Sequence, residues 1–136
     1  MTTINIPMPV SKIYEYKVKS EDTSIHQHSG EVKVLGTPKL LAIMEEATCK
    51  IVKEFLPEGI TTVGTEMHLY HKKPSVVGEK LFIECTLLSR QEKTLNYEIK
   101  VFDIRQEVGY CSCKRFLIVK EQFEQKAMEV SKKKQL

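Results

Sequence analysis

Thr37, Glu45 and His71 supply a hydroxyl, a carboxylate and an imidazole, the groups from which activated-water and acyl-transfer chemistry are assembled. Thr37 lies in Gly36-Thr37-Pro38, the opening of a helix; Glu45 stands eight residues further along that helix; His71 closes a strand soon after it. In such a set His71 is the general base, and Thr37 or a water gives up the proton. Glu45 either assists or attacks to form a transient mixed anhydride, and the sequence leaves these routes open. Each residue also has an ordinary structural use: Thr37 as an N-cap, Glu45 as a rim carboxylate paired with a lysine, His71 as a histidine satisfied within the fold. The elements that carry them decide between the two.

The helix is the clearest element. Thr37 is a good N-cap residue, Pro38 suits the first helical position, and Pro57 and Gly59 stop the helix. At about 100° per residue, Leu40, Leu41, Ile43, Met44, Ala47, Ile51, Val52, Phe55 and Leu56 fill a sector too wide for a surface helix, so this helix is mostly buried. Glu45 points to the edge of that sector, whereas Glu46 turns to water with Lys39 and Lys53. A carboxylate on the buried side is costly unless it is paired or protonated, which marks Glu45 as a functional candidate.

Around the helix the chain alternates. Ile13 to Val18 reads as a short strand, Ser20 to Gly30 (with His26 and His28) as a polar, lid-like loop, and Glu31 to Leu35 as a brief extended piece. After the helix, Val63, Thr65, Met67, Leu69 and His71 share one face of a strand ending near Pro74. Further strands span Lys80 to Arg90, Leu95 to Val101 and Val108 to Val119, joined by short polar links that suit hairpins. From Lys120 onward Phe123, Ala127 and Val130 indicate a weak C-terminal helix. So apolar a helix beside so much sheet is best buried by wrapping the sheet around it.

The bulk properties narrow the classes. The 136 residues suit one domain, 1–136, with a tail from about 120 that is helical or flexible. No apolar run approaches bilayer length, and the N-terminus has neither basic head nor apolar signal core, which points to a cytoplasmic protein without membrane contact. The net charge of +3 owes much to Lys132-Lys133-Lys134, read as a solvated helix end and not a nucleic-acid arm; a mild surplus of this kind suits an anionic small molecule. Cys111 and Cys113 form a C-x-C on one strand face with no second pair at metal spacing, so the four cysteines read as reduced thiols and no metal is expected.

The run Gly36-Thr37-Pro38-Lys39-Leu40-Leu41-Ala42-Ile43-Met44-Glu45-Glu46-Ala47, with its Thr-x7-Glu spacing, resembles the helix start of the fluoroacetyl-CoA thioesterase family. The strand Val63 to His71, followed by Pro74 and Gly78, resembles the strand that carries that family's catalytic histidine, and the likeness extends from about Val34 to Val119. It implies an α+β hotdog fold, a long antiparallel sheet wrapped around one central helix. It implies Thr37, Glu45 and His71 as the catalytic triad, Gly64 beside the substrate thioester, where a bare backbone permits close approach, and Arg115 as a further substrate-binding residue. It also implies an acyl-CoA substrate whose coenzyme A is part of the substrate, no separate cofactor, and a homodimer or dimer of dimers with active sites at the subunit interface. The N-terminus of the helix and the backbone of Gly64 would then stabilise the developing oxyanion. The fluoroacetyl-specific enzyme carries aromatic lid residues just before its helix; the corresponding stretch here, His28-Ser29-Gly30-Glu31, has none, which argues against fluoroacetyl-CoA itself.

The expected activity is hydrolysis of a short or medium acyl-CoA. The alternative is a hotdog protein that binds acyl-CoA without turning it over. Enoyl-CoA hydration, which the same fold supports, calls for an Asp/His pair at a spacing this sequence does not show.

Overall fold

A computed structural model describes residues 3–134. Strand β1 (Val10–Lys17) leads through a short 3-10 turn (Ser20–Asp22) to helix α1 (Thr37–Lys53). Strands β2 (Ile60–His71), β3 (Lys80–Gln91), β4 (Thr94–Phe102) and β5 (Glu107–Val119) follow, then helix α2 (Lys120–Lys134). The strands form one antiparallel sheet in the order β1-β3-β4-β5-β2, which leaves β1 and β2 at the edges.

Helix α1 lies against one face of that sheet because its apolar sector matches the inward set of the strands. Leu40, Met44, Ala47, Ile51 and Val52 from the helix meet Leu81, Ile83, Cys85, Leu87, Leu95, Tyr97, Ile99, Val101, Cys111 and Cys113 in a single buried cluster. Burial of each large apolar side chain contributes about 1.5–3 kcal/mol, and the one hydroxyl among them is satisfied: Tyr97 donates to the Thr48 carbonyl at 3.1 Å. Gly109 lets β5 approach the helix, since a Cβ there would sit 3.0 Å from Leu40 Cδ2 and 3.4 Å from Met44 Cε. The expected α+β wrap of a long sheet around one helix is therefore the observed architecture.

Four local readings change. The helix opens one residue earlier than expected: Gly36 is the N-cap, and its carbonyl accepts the amides of Lys39 and Leu40. Thr37 is the first helical residue, so its hydroxyl is not used for capping. The helix also ends at Lys53, short of Pro57, and β1 begins at Val10. The segment expected as a loose lid is pinned instead. Asp22 accepts the Tyr16 hydroxyl at 2.5 Å and the Lys19 amide at 2.9 Å, and its carbonyl accepts the Gly36 amide at 2.8 Å. Ser24 bonds Val34 through its amide and Val32 through its hydroxyl, both at 2.8 Å. Asp22, Thr23 and Ser24 are buried in consequence.

The fourth change concerns β2. Gly64 pairs with Arg115 and Glu66 pairs with Lys114, so Thr65 is an extra residue that bulges out of the ladder. A regular strand alternates faces, and the bulge inverts the alternation. Thr62 and Gly64 therefore share the helix side with Met67, Leu69 and His71, while Thr65 turns outward to bond the Lys114 carbonyl at 3.1 Å. The single face expected for Val63, Thr65, Met67, Leu69 and His71 is thus broken in the middle.

Candidate active site

At the start of α1 the Thr37 Oγ1 lies 2.8 Å from His71 Nδ1. Gly36 makes this contact possible by taking over the capping role, and the last residue of β2 brings the ring to meet it. In the neutral tautomer with its proton on Nε2, Nδ1 accepts the threonine hydroxyl. Burial lowers the His71 pKa below its ordinary 6.5, with the Lys73 backbone working the other way, so the ring is held in its neutral, basic form at pH 7. Its Nε2 is buried without a protein partner. The open cleft beside the pair is lined by Ser24, Ser29, Gly30, Lys72 and Lys73 among others.

A second pair sits further along the helix. Arg115 is buried on the inner side of β5 and donates from Nη1 to Glu45 Oε2 at 2.8 Å. Its Nε donates to the Thr62 hydroxyl and its Nη2 to the Thr62 carbonyl, each at 2.9 Å. Arg115 is thereby locked in a planar fork, and it fixes a carboxylate that is still 41% exposed. In place of the lysine partner of the structural reading, Glu45 has this arginine. Gly64 closes the group: a Cβ added there would lie 2.6 Å from Glu45 Oε2 and 3.2 Å from Arg115 Nη1.

The structure therefore joins Thr37 to His71, and Glu45 to Arg115 and Gly64, but it does not join the two pairs. Eight residues separate Thr37 from Glu45, a rise of about 12 Å along one helix. The expected substrate role of Arg115 also changes character, because its guanidinium is committed to Glu45 and Thr62. Thr62 is a residue the sequence reading missed. The signal for it was an arginine at an inward position of β5, in step with Cys111, Cys113 and Leu117, where a cation requires partners. His68 is exposed beside Glu66, and His26 and His28 stay outside both pairs.

A sheet wrapped around one helix, with a hydroxyl–imidazole pair at the helix start, is the frame of a hotdog thioester hydrolase. The profile of the fluoroacetyl-CoA-specific thioesterases matches residues 18–121, and the chain belongs to that family. Among solved structures, the fluoroacetyl-CoA thioesterase FlK superposes with a TM-score of 0.87 at 19% identity, over 92% of this chain and 97% of that one. TTHA0967 of Thermus thermophilus, a thioesterase superfamily member, gives 0.86 at 18% identity over 99% and 98% of the two chains. A hot-dog-like protein of Thermanaerovibrio acidaminovorans gives 0.83 at 20% identity over 90% and 91%. None of the curated proteins matches the sequence. No helix among the described residues is long and apolar enough to cross a membrane.

Proposed function

We propose that this thioester hydrolase cleaves a short or medium acyl-CoA to the free acid and coenzyme A, in a site shared by two copies of the chain. The observation that carries the reading is the 2.8 Å contact between Thr37 and a histidine held neutral by burial. His71 Nδ1 takes the proton of the Thr37 hydroxyl as the oxygen attacks the thioester carbonyl. Collapse of the tetrahedral adduct breaks the C–S bond, and the departing coenzyme A thiolate recovers that proton. Water then hydrolyses the acyl-threonine, with His71 again the base. The reaction needs no separate cofactor.

Glu45 enters from the second copy. Strand β2 is an edge strand of twelve residues, an exposed template for pairing that proteins commonly cover by assembly. Antiparallel pairing of two β2 strands about a two-fold axis midway between Gly64 and His71 sets Gly64 opposite the partner's His71. Glu45, Arg115 and Gly64 of one copy then face Thr37 and His71 of the other, which closes the gap of about 12 Å that one helix leaves. Arg115 acts as a positioning residue for Glu45, and Glu45 orients the hydrolytic water. Gly64 leaves its backbone open to the thioester. Further pairing of such dimers would leave this site unaltered, and we place the enzyme in the cytoplasm.

The acyl group is not fluoroacetate in this reading. The residues beside the Thr37–His71 cleft include Ser29 and Gly30, and the stretch from His28 to Glu31 supplies no aromatic cover. Release of free thiol from a panel of acyl-CoAs, acetyl through long-chain, tests the proposal. Turnover that disappears in His71→Ala supports it. Turnover retained in both His71→Ala and Glu45→Ala, or tight binding of every thioester without hydrolysis, overturns it.

A further inference from the structure

The stripe of α1 that carries Glu45 continues beyond it. Cys49 and Val52 follow at steps of four and three residues, the spacing that keeps side chains on one helical face, and Leu56 follows in the tight i→i+3 turn just past Lys53. With Ile60 and Thr62 they line a cleft of about 430 Å³ between the second half of α1 and the start of β2. This cleft borders the Glu45 site through one shared residue. Thr62, one of its walls, is the residue that binds Arg115 through both hydroxyl and carbonyl. Gly64, two residues further along β2, lies within contact range of Glu45. Val52, Leu56 and Ile60 make the walls apolar, and Lys53 and Glu58 add charge to the lining.

We infer that this cleft receives the acyl chain of the substrate, with the thioester at Glu45 and Gly64, and that Cys49 controls entry to it. The inference rests on the thioesterase reading above and adds the substrate class. From Cys49 to Leu56 is seven residues, four on the helix and three in the i→i+3 turn after it, a rise of about 10–12 Å. An extended alkyl chain with C–C bonds of about 1.5 Å advances about 1.3 Å per carbon, so the cleft holds about eight carbons. Shorter chains leave apolar wall uncovered, and much longer ones outrun the cleft. The fitting substrate is therefore a medium-chain thioester of the octanoyl class.

Cys49 offers a direct test because it is the one exposed thiol of four. Cys85, Cys111 and Cys113 are buried, and burial pushes their pKa values up, to about 12 for Cys85 and Cys113. N-Ethylmaleimide therefore labels Cys49 first. The dimeric protein is labelled, and kcat/KM is measured for octanoyl-CoA and acetyl-CoA, with Cys49→Ser treated identically as control. The ratio of octanoyl to acetyl kcat/KM is expected to fall by about tenfold or more on labelling and to hold steady in the control. Octanoate, and not acetate, is expected to slow the labelling itself. Equal slowing of both substrates, or labelling indifferent to octanoate, overturns the inference. The protection arm reads the cleft even if no thioester is turned over, so failure of the activity and failure of the chain-binding cleft are told apart.

Discussion

Gly64→Ala isolates the geometry of the carboxylate. The new methyl carbon would stand 2.6 Å from Glu45 Oε2 and 3.2 Å from Arg115 Nη1, whereas unstrained contacts of this kind lie at about 3.5 Å or more. The carboxylate must retreat by about 3.5 − 2.6 = 0.9 Å, or swing off Arg115 altogether. It is free to do so, because the Glu45 side chain is 41% exposed; the fold itself loses little. A displacement of about 1 Å in a group that must meet a reacting centre costs about a hundredfold in rate. The expected result is a drop in kcat/KM of that order on the best acyl-CoA, with the thermal midpoint within about 2 °C of the parent. Activity within threefold of the parent would refute the placing of Glu45 in the reaction. A collapse of the midpoint together with the rate would instead make Gly64 a folding residue.

Thr37→Ala removes a hydroxyl that does not cap the helix, so denaturant unfolding should show a loss below about 0.5 kcal/mol, against the roughly 1 kcal/mol of a lost N-cap, while thioester hydrolysis falls sharply. Because burial lowers the pKa of His71, its neutral form persists to lower pH; the midpoint of the acid-side fall in kcat/KM should lie below pH 6.5, and a midpoint above pH 7 would contradict the assignment of His71 as base. Arg115→Lys cannot reach Glu45 and both Thr62 acceptors at once. It should cost about 1–2 kcal/mol in chemical denaturation, the solvent-exposed Glu45 carboxylate sparing it the larger penalty of a fully buried broken pair, and it should lower kcat more than it raises KM.

Much of this architecture could be read from the chain before any coordinates, for physical reasons. Alternation over Leu81 to Leu87 and Leu95 to Val101 named the inward residues correctly because those strands are buried on one face and their ladders keep that face inward. The apolar sector of α1 did the same for the helix. The bulge at Thr65 was not read, though Gly64 inside a strand is a recognised sign of one. It matters because Gly64 and His71 are seven residues apart and would face opposite ways on a regular strand. The exchange of capping roles between Gly36 and Thr37 was hidden because both residues favour that position, and only the hydrogen bonds of the first turn distinguish them. The separation of Glu45 from Thr37 was implicit in the helical rise from the start. It is that distance which motivates the proposal of a site shared with a second copy of the chain.

Complementation between inactive chains tests the shared site most directly. Thr37→Ala/His71→Ala keeps Glu45, and Glu45→Ala keeps the hydroxyl–imidazole pair. Each variant alone should hydrolyse no acyl-CoA above background. Unfolded together in equal amounts and refolded, they form mixed dimers as half of the population, each with one complete site and one site lacking both halves. The account predicts recovery of about a quarter of wild-type thiol release. A mixture as inactive as its components, with mixed dimers shown to be present, would contradict it.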